Sequence, residues 1–248
     1  MRRAAILIGS PGNNPFLPGT LADVQRYRDF LLSPYGGAWR DSEITSFESP
    51  CWFEVEAALA EASGADYVFL SFSGHGQHNS LDLSTGTVVQ LNECEPPVPV
   101  HLLNPRGPSH TLVVDACREL APWLFEKVGG LAGLIEEKVA KRAPSLEACR
   151  RLFDQRCTLA GVGRVVMYSC QVRQTAGEPD DGSGGYFSRF LVDDAVTVAA
   201  DALEPAWLSV PAAFAAARDH TFAINAPQRA VLENGRRNVD FPFAVVAW

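Results

Sequence analysis

Two short apolar runs end abruptly in polar turns, and together they restrict the fold of this chain more than any other feature. The first, Tyr67 to Phe72, stops at Ser73-Gly74-His75-Gly76, and the second, Thr111 to Val114, stops at Asp115-Ala116-Cys117-Arg118. Continuous apolar runs of this length read as strands buried on both faces, which predicts a parallel sheet covered by helices. In such sheets the reactive groups collect at the carboxyl ends of the strands. A histidine and a cysteine stand there, and an imidazole beside a thiol is the pair that makes a sulfur nucleophile.

The rest of the chain alternates in the same way. Ala4 to Gly9 is another buried strand, closed by Gly9-Ser10-Pro11-Gly12. Thr20-Leu21-Ala22-Asp23 reads as a capping box, with Leu21, Val24, Tyr27 and Leu31 at helical spacing behind it. Ser49-Pro50 opens a helix that runs through Ala62, with Trp52, Val55, Leu59 and Ala62 on one face and Gly64 closing it. Residues 80–110 lack periodicity and carry Pro96, Pro97, Pro99, Pro105 and Pro108, so they read as a loop with a short strand or two. Arg164 to Tyr168 reads as a fourth buried strand, Gly185 to Leu203 and Val210 to Asp219 as helices, and Phe241 to Val246 as the last strand. The expected fold class is α/β, a mainly parallel central sheet with helices on both faces.

Bulk properties narrow the chemistry. A chain of 248 residues with 47% apolar content can bury one sizeable core, as one domain or two intimately joined halves. No run approaches eighteen apolar residues, and Met1-Arg2-Arg3 followed only by Ala4 to Ile8 is too short for a signal-peptide core, so a cytoplasmic protein without a membrane partner is expected. The net charge of −8 argues against a nucleic-acid partner and suits basic partners or substrates. Six cysteines contain no Cys-x-x-Cys pair, which excludes a zinc ribbon and a thioredoxin motif and leaves reduced thiols as the expectation. Cys170 reads as a buried structural thiol. Gly9-Ser10-Pro11-Gly12-Asn13-Asn14 lacks the Gly-Lys-Ser/Thr of a phosphate loop, and His78 has no metal-ligand partner at a recognised spacing. No metal or other cofactor is expected.

A free thiol is mostly protonated at neutral pH and needs an imidazole to take its proton, which makes His75 the base for Cys117. Gly74 and Gly76 let the backbone turn sharply around the ring, and the Gly76 N–H is a candidate oxyanion donor. Asp115, two residues before the cysteine, shares its side of an extended chain. A carboxylate there can bind a basic substrate side chain.

Ser73-Gly74-His75-Gly76 with Asp115-Ala116-Cys117-Arg118-Glu119 resembles the caspase-like cysteine peptidases, the group of caspases, metacaspases and their prokaryotic relatives. The resemblance extends along nearly the whole chain. Leu17 to Val24 is similar to the first helix entry of metacaspases, and Tyr168-Ser169-Cys170-Gln171 to the strand that begins the small-subunit half. Ala176-Gly177-Glu178 through Gly184-Gly185-Tyr186-Phe187-Ser188 resembles the following loop and helix start, and Asp240-Phe241-Pro242-Phe243 the closing strand. This resemblance implies a three-layer caspase-like sandwich and an endopeptidase in which Cys117 attacks, His75 moves the proton, and the Gly76 and Cys117 N–H groups hold the oxyanion. Asp115 stands where caspases that cut after aspartate have glutamine, as in metacaspases, which implies arginine or lysine before the cut bond. Asp23 matches a second acidic pocket position, and it also reads as a helix-capping carboxylate. The acidic calcium cluster of many metacaspases is not evident, and Glu119 replaces the glycine or serine that often follows the nucleophile.

Residues 120–163 separate a large-subunit-like half, 1–119, from a small-subunit-like half, 164–248. They carry Lys138, Lys141-Arg142, Arg150-Arg151 and Arg156, so Arg142, Arg150, Arg151 and Arg156 are candidate sites of self-processing or of cutting by an upstream activating protease. The other reading is a charged surface helix, since Leu131, Leu134, Ile135 and Val139 have helical spacing. Prokaryotic relatives are often linked to stress, cell death or antiviral defence. The alternative to an active peptidase is a catalytically silent relative that binds partners through the same cleft.

Overall fold

The computed structural model describes residues 1–78, 86–119, 143–235 and 238–248. Its central sheet contains β1 (Arg3–Ser10), β2 (Ile44–Glu48), β3 (Tyr67–Gly74), β7 (Ser109–Asp115), β8 (Gly163–Tyr168) and β10 (Val231–Asn234), in the order β10-β8-β7-β3-β1-β2. All neighbours run parallel except β10, which is antiparallel to β8 and closes one edge. A small antiparallel sheet of β4 (Gly76–His78), β5 (Thr87–Val89) and β6 (Val98–Pro99) follows directly from β3.

The apolar runs became the central strands for the reason their composition suggests. Every residue of β3 and β7 is buried. Alternate residues feed opposite faces: Leu7, Phe69, Val113 and Met167 join one core, while Ile6, Ile8, Leu70, Leu112 and Val114 join the other. The first face is covered by α1 (Gly19–Leu32), α3 (Leu146–Ala160), α4 (Tyr186–Asp201) and α5 (Val210–Ile224), through Tyr27, Phe30, Phe153, Phe187 and Phe214. The second is covered by α2 (Trp52–Ala62), through Val55 and Leu59. This is the expected α/β sandwich. Among the described residues no helix is long and apolar enough to cross a membrane.

Several elements depart from the sequence reading. β2 was not expected, because an edge strand with one buried residue in five shows no apolar run. β10 is also an edge, with none of its residues fully buried. The last strand, β11 (Pro242–Val246), forms as expected and is fully buried, but it pairs antiparallel with β9 (Ala206–Ser209) in a sheet of two. Its Phe243 stacks on Phe30 of α1, so the segment fills the core beneath the helices instead of extending the main sheet. Finally, residues 146–160 of the expected linker form α3, which buries Cys149, Phe153 and Cys157 at every fourth position. The continuous linker reading fails there because that stripe docks on the sheet. Leu131, Leu134, Ile135 and Val139 lie outside the described residues.

Candidate active site

β3 and β7 are neighbours in register, with Ser73 opposite Asp115, so their carboxyl ends lie level. The turns that follow touch. A methyl group on Gly76 would lie 2.8 Å from Ala116 Cβ and 2.9 Å from the Cys117 carbonyl oxygen. The strand ends thus bring His75 and Gly76 to Cys117, and both His75 and Cys117 are buried.

His75 Nε2 lies 2.9 Å from the Pro15 carbonyl oxygen. A carbonyl oxygen only accepts, so Nε2 donates and proton exchange with a reacting group falls to Nδ1. Gly12 packs against the same ring: it has φ +63°, and a Cβ there would come 2.5 Å from His75 Cδ2. Only glycine meets both demands. The loop between β1 and α1 therefore holds the His75 ring, a contact the sequence reading missed; a backbone carbonyl carries no residue signature.

The main chain around Cys117 is fixed on both sides. Arg118 N–H donates to the Gln174 carbonyl at 2.9 Å, Arg173 N–H to the Arg118 carbonyl at 2.8 Å, and His78 N–H to the Glu119 carbonyl at 2.9 Å. The Arg118 guanidinium donates to Thr87 Oγ1 and the Cys170 carbonyl and lies 4.0 Å from the Tyr168 ring centre. Cys170 is buried with its Sγ against the Ala116 and Gln174 carbonyls, a structural position. Cys117 Sγ donates to the Ala176 carbonyl at 3.7 Å. Burial pushes this thiol up to about 11; the Ala176 bond opposes the shift, while the negative charges of Glu119 and Asp115 add to it. The loop carrying Ala176 is pinned by the buried Gln228, which accepts from Gly177 N–H at 3.0 Å and donates to the Ser169 carbonyl at 2.9 Å.

Asp23 and Asp115 are both buried against the start of α4. Asp115 Oδ2 accepts from Ser188 N–H at 3.1 Å and from Ser188 Oγ at 2.7 Å. Asp23 accepts from Ser73 Oγ at 2.6 Å and from Gly185 N–H at 3.0 Å. Its capping role is not observed: α1 begins at Gly19, and Thr20 Oγ1 donates back to the Leu17 carbonyl at 3.0 Å. Arg26 Nη1 stands 3.4 Å from Asp23 Oδ1, and its Nη2 donates to the Ser183 carbonyl at 2.7 Å. Burial raises both carboxyls above their ordinary range, Asp23 strongly; for Asp23 the charge of Asp115 adds to the rise, and Ser73 and Gly185 oppose it. Ser73 and Ser188 stand in motifs the sequence shows, but nothing there assigned them a role, and Arg26 had no motif to mark it.

Arg150, Arg151 and Arg156 sit on α3. Arg150 is bidentate to Glu43, at 2.9 and 2.5 Å, and donates to the Ala38 carbonyl; Arg151 pairs with Glu147, and Arg156 lies over the Trp207 ring. A protease takes its substrate extended, so cutting at these three requires α3 to unwind; their place in a packed helix removes the accessibility that the linker reading gave them. Arg142 lies outside the described residues. Among the described residues no group of three or more histidine, cysteine and carboxylate side chains is arranged to hold a metal ion.

The family model described as the caspase domain matches residues 2–216. Among solved structures, caspase-1 from Spodoptera frugiperda superposes with a TM-score of 0.59 at 12% identity, covering 95% of this chain and 88% of that one. At that identity the likeness speaks for the fold alone. No curated protein sequence matches the chain. A Cys–His pair at adjacent strand ends, a caspase-like sandwich and a family match over most of its length place this chain in the caspase-domain family of cysteine peptidases.

Proposed function

We propose that the protein is a cysteine endopeptidase that cuts protein substrates after arginine, and less readily lysine, with Cys117 as nucleophile and His75 as general base and acid. Cys117 Sγ attacks the scissile carbonyl carbon as its proton passes to His75; His75 returns that proton to the leaving amine, and water then hydrolyses the thioester. The N–H groups of Gly76 and Cys117 face the developing oxyanion. The observation that carries the specificity is the paired burial of Asp23 and Asp115 beside Cys117, held mainly by neutral donors. Two such carboxylates gain most from a guanidinium, which is planar and donates through several N–H groups.

A buried Cys117 thiol whose Sγ donates to the Ala176 carbonyl fits a resting enzyme. Cutting between the halves, by the enzyme itself or by an upstream protease, is the activation step this reading favours. Work in the cytoplasm, in a stress, cell-death or antiviral response, belongs to the same reading. The rival is a silent binding relative, and the burial of the Cys117 thiol against the Ala176 carbonyl is the observation in its favour.

Matched fluorogenic peptides ending in Arg, Lys and Asp decide between them, assayed with the wild type and Cys117→Ala. Cleavage after Arg that Cys117→Ala abolishes is the expected result. Silence on every peptide leaves an uncut zymogen or the binding reading, and limited trypsin nicking between the halves separates them. Cleavage after Arg, or labelling of Cys117 by an arginyl electrophile, that appears only on nicking marks the zymogen, and continued silence leaves only the binding reading.

A further inference from the structure

His75 is held from two directions, and both lead to the short segment between Gln90 and Glu95. Its backbone is held by Gln90, whose N–H donates to the His75 carbonyl at 2.9 Å. Its ring is held by the Pro15 carbonyl at 2.9 Å. Pro15 lies in a loop with little packing of its own: Asn13, Asn14 and Phe16 are exposed. Within that loop, Leu17 N–H donates to the Pro11 carbonyl at 2.9 Å. From outside, Glu93 grips it with both carboxylate oxygens. Oε1 accepts the Asn13 backbone N–H, and Oε2 accepts the Asn13 side-chain amide at 2.5 Å.

The segment that carries Glu93 is itself fixed. Asn92 Oδ1 accepts from the N–H groups of Cys94 and Glu95, an Asx turn closed by its own side chain. Asn92 Nδ2 donates to the Pro50 carbonyl at 2.8 Å, and Glu95 Oε2 accepts from Trp52 N–H, at the start of α2, at 2.7 Å. Gln90 Nε2 closes the turn from the other side, on the Glu95 carbonyl at 2.6 Å. A rigid turn docked on a helix thus reaches an exposed loop through one bidentate clamp.

We infer that Glu93 is a positioning residue for His75, acting through Asn13 and the Pro15 carbonyl. This rests on the reading of His75 as the general base. Without the clamp the loop samples positions in which Pro15 no longer fixes the ring, and misplacement of a catalytic group by about 1 Å costs on the order of a hundredfold in rate. Substrate binding is spared, because Asp23 and Asp115 hold the basic side chain from other elements.

The test is steady-state kinetics on an arginyl peptide for the wild type, Glu93→Ala, Glu93→Gln, Asn13→Ala and the Glu93→Ala/Asn13→Ala double variant, with thermal melts of each. Glu93→Ala should lower kcat by about ten- to a hundredfold with KM within about twofold and a melting temperature near wild type. Glu93→Gln, which keeps one acceptor oxygen, should recover most of the rate. The double variant should be no worse than the poorer single one, since both act through one contact. An unchanged kcat in Glu93→Ala overturns the inference, as does additive loss in the double variant or a rate loss that follows the melting temperature across the set. All proteins are assayed before and after limited trypsin nicking between the halves. If the nicked wild type cleaves nothing and Cys117 is not labelled, the peptidase reading itself falls, whereas an active wild type with unaffected variants removes the clamp alone.

Discussion

At the amino end of the central sheet Arg3 is buried; at the carboxyl end the acids Asp23 and Asp115 are buried, together with Arg118, whose guanidinium is engaged by Thr87, the Cys170 carbonyl and the Tyr168 ring. The Arg3 side chain is 0% exposed and fully engaged: Nε donates to Asp154 at 2.7 Å, Nη1 to the Gly37 carbonyl at 2.8 Å and Nη2 to the Arg150 carbonyl at 3.0 Å. Its plane also lies over the Phe153 and Trp39 rings. Burial lowers its pKa, and the Asp154 carboxylate offsets this. The two aspartates are held by hydroxyls and N–H groups, with one guanidinium, Arg26, 3.4 Å from one oxygen. Of the two, Arg26 reaches only Asp23. The difference separates a charge that belongs to the fold from charges whose desolvation cost is relieved only when a cation arrives.

The sharpest way to break that comparison is Asp115→Asn. It should lower kcat/KM for arginyl peptides by about a thousandfold, in the range for removing one partner of a buried charge pair at a binding site. Its stability should change by only about 1 kcal/mol, the worth of a helix N-terminal acceptor, because Asn keeps an oxygen for Ser188. Equal loss of arginine and aspartate cleavage would instead make Asp115 part of the scaffold. Arg3→Met is the converse. Leaving Asp154 against the vacated site should cost about 3 kcal/mol in denaturant unfolding, while the folded fraction keeps the same ratio of arginine to lysine cleavage. A changed ratio would mean that the two ends of the sheet are coupled.

The two ends also differ in how far the sequence discloses them. Tyr67 to Phe72 and Thr111 to Val114 announce the central strands because burial on both faces demands unbroken apolar runs, and the cysteine and histidine inherit their places from those strands. Asp115 is legible from its spacing to Cys117. Asp23 is half legible: its place in a capping-box pattern concealed that it points across to Ser73 and Gly185, a tertiary arrangement with no local periodicity. The Pro15 carbonyl is hidden altogether, since every residue but its side chain looks alike to a backbone hydrogen bond. At the amino end, Arg3 read only as part of a basic start, because its carboxylate partner Asp154 comes from α3, where Cys149, Phe153 and Cys157 are a sparse stripe among charges. Edge strands such as β2 and β10 escaped for the same reason: one neighbour and partial burial impose little pattern on sequence.

Asp23→Asn should give the smallest effect and the most diagnostic sign. Burial raises the folded-state pKa of Asp23 well above that of an unfolded carboxyl. Above the unfolded value of about 4, the unfolded chain has released this proton while the folded one still holds it, so rising pH favours unfolding until the folded pKa is passed. The cost is absent below the unfolded value and complete above the folded one. Asn mimics the neutral form, so Asp23→Asn should equal the wild type in stability near pH 4 and exceed it increasingly toward neutral pH, by less than Arg3→Met loses. Asp115 remains to titrate in the variant, so the dependence is reduced and not erased. Arginyl ligands act in the opposite sense on the wild type: a bound guanidinium favours the ionised carboxylates, so binding releases protons and KM rises as pH falls. Chemical unfolding of both proteins at several pH values, with and without an arginyl inhibitor, reads both signs. A stability difference that is constant with pH would show that Asp23 is ionised throughout, satisfied by Arg26 in the way that Arg3 is satisfied by Asp154, and the contrast between the two ends would disappear.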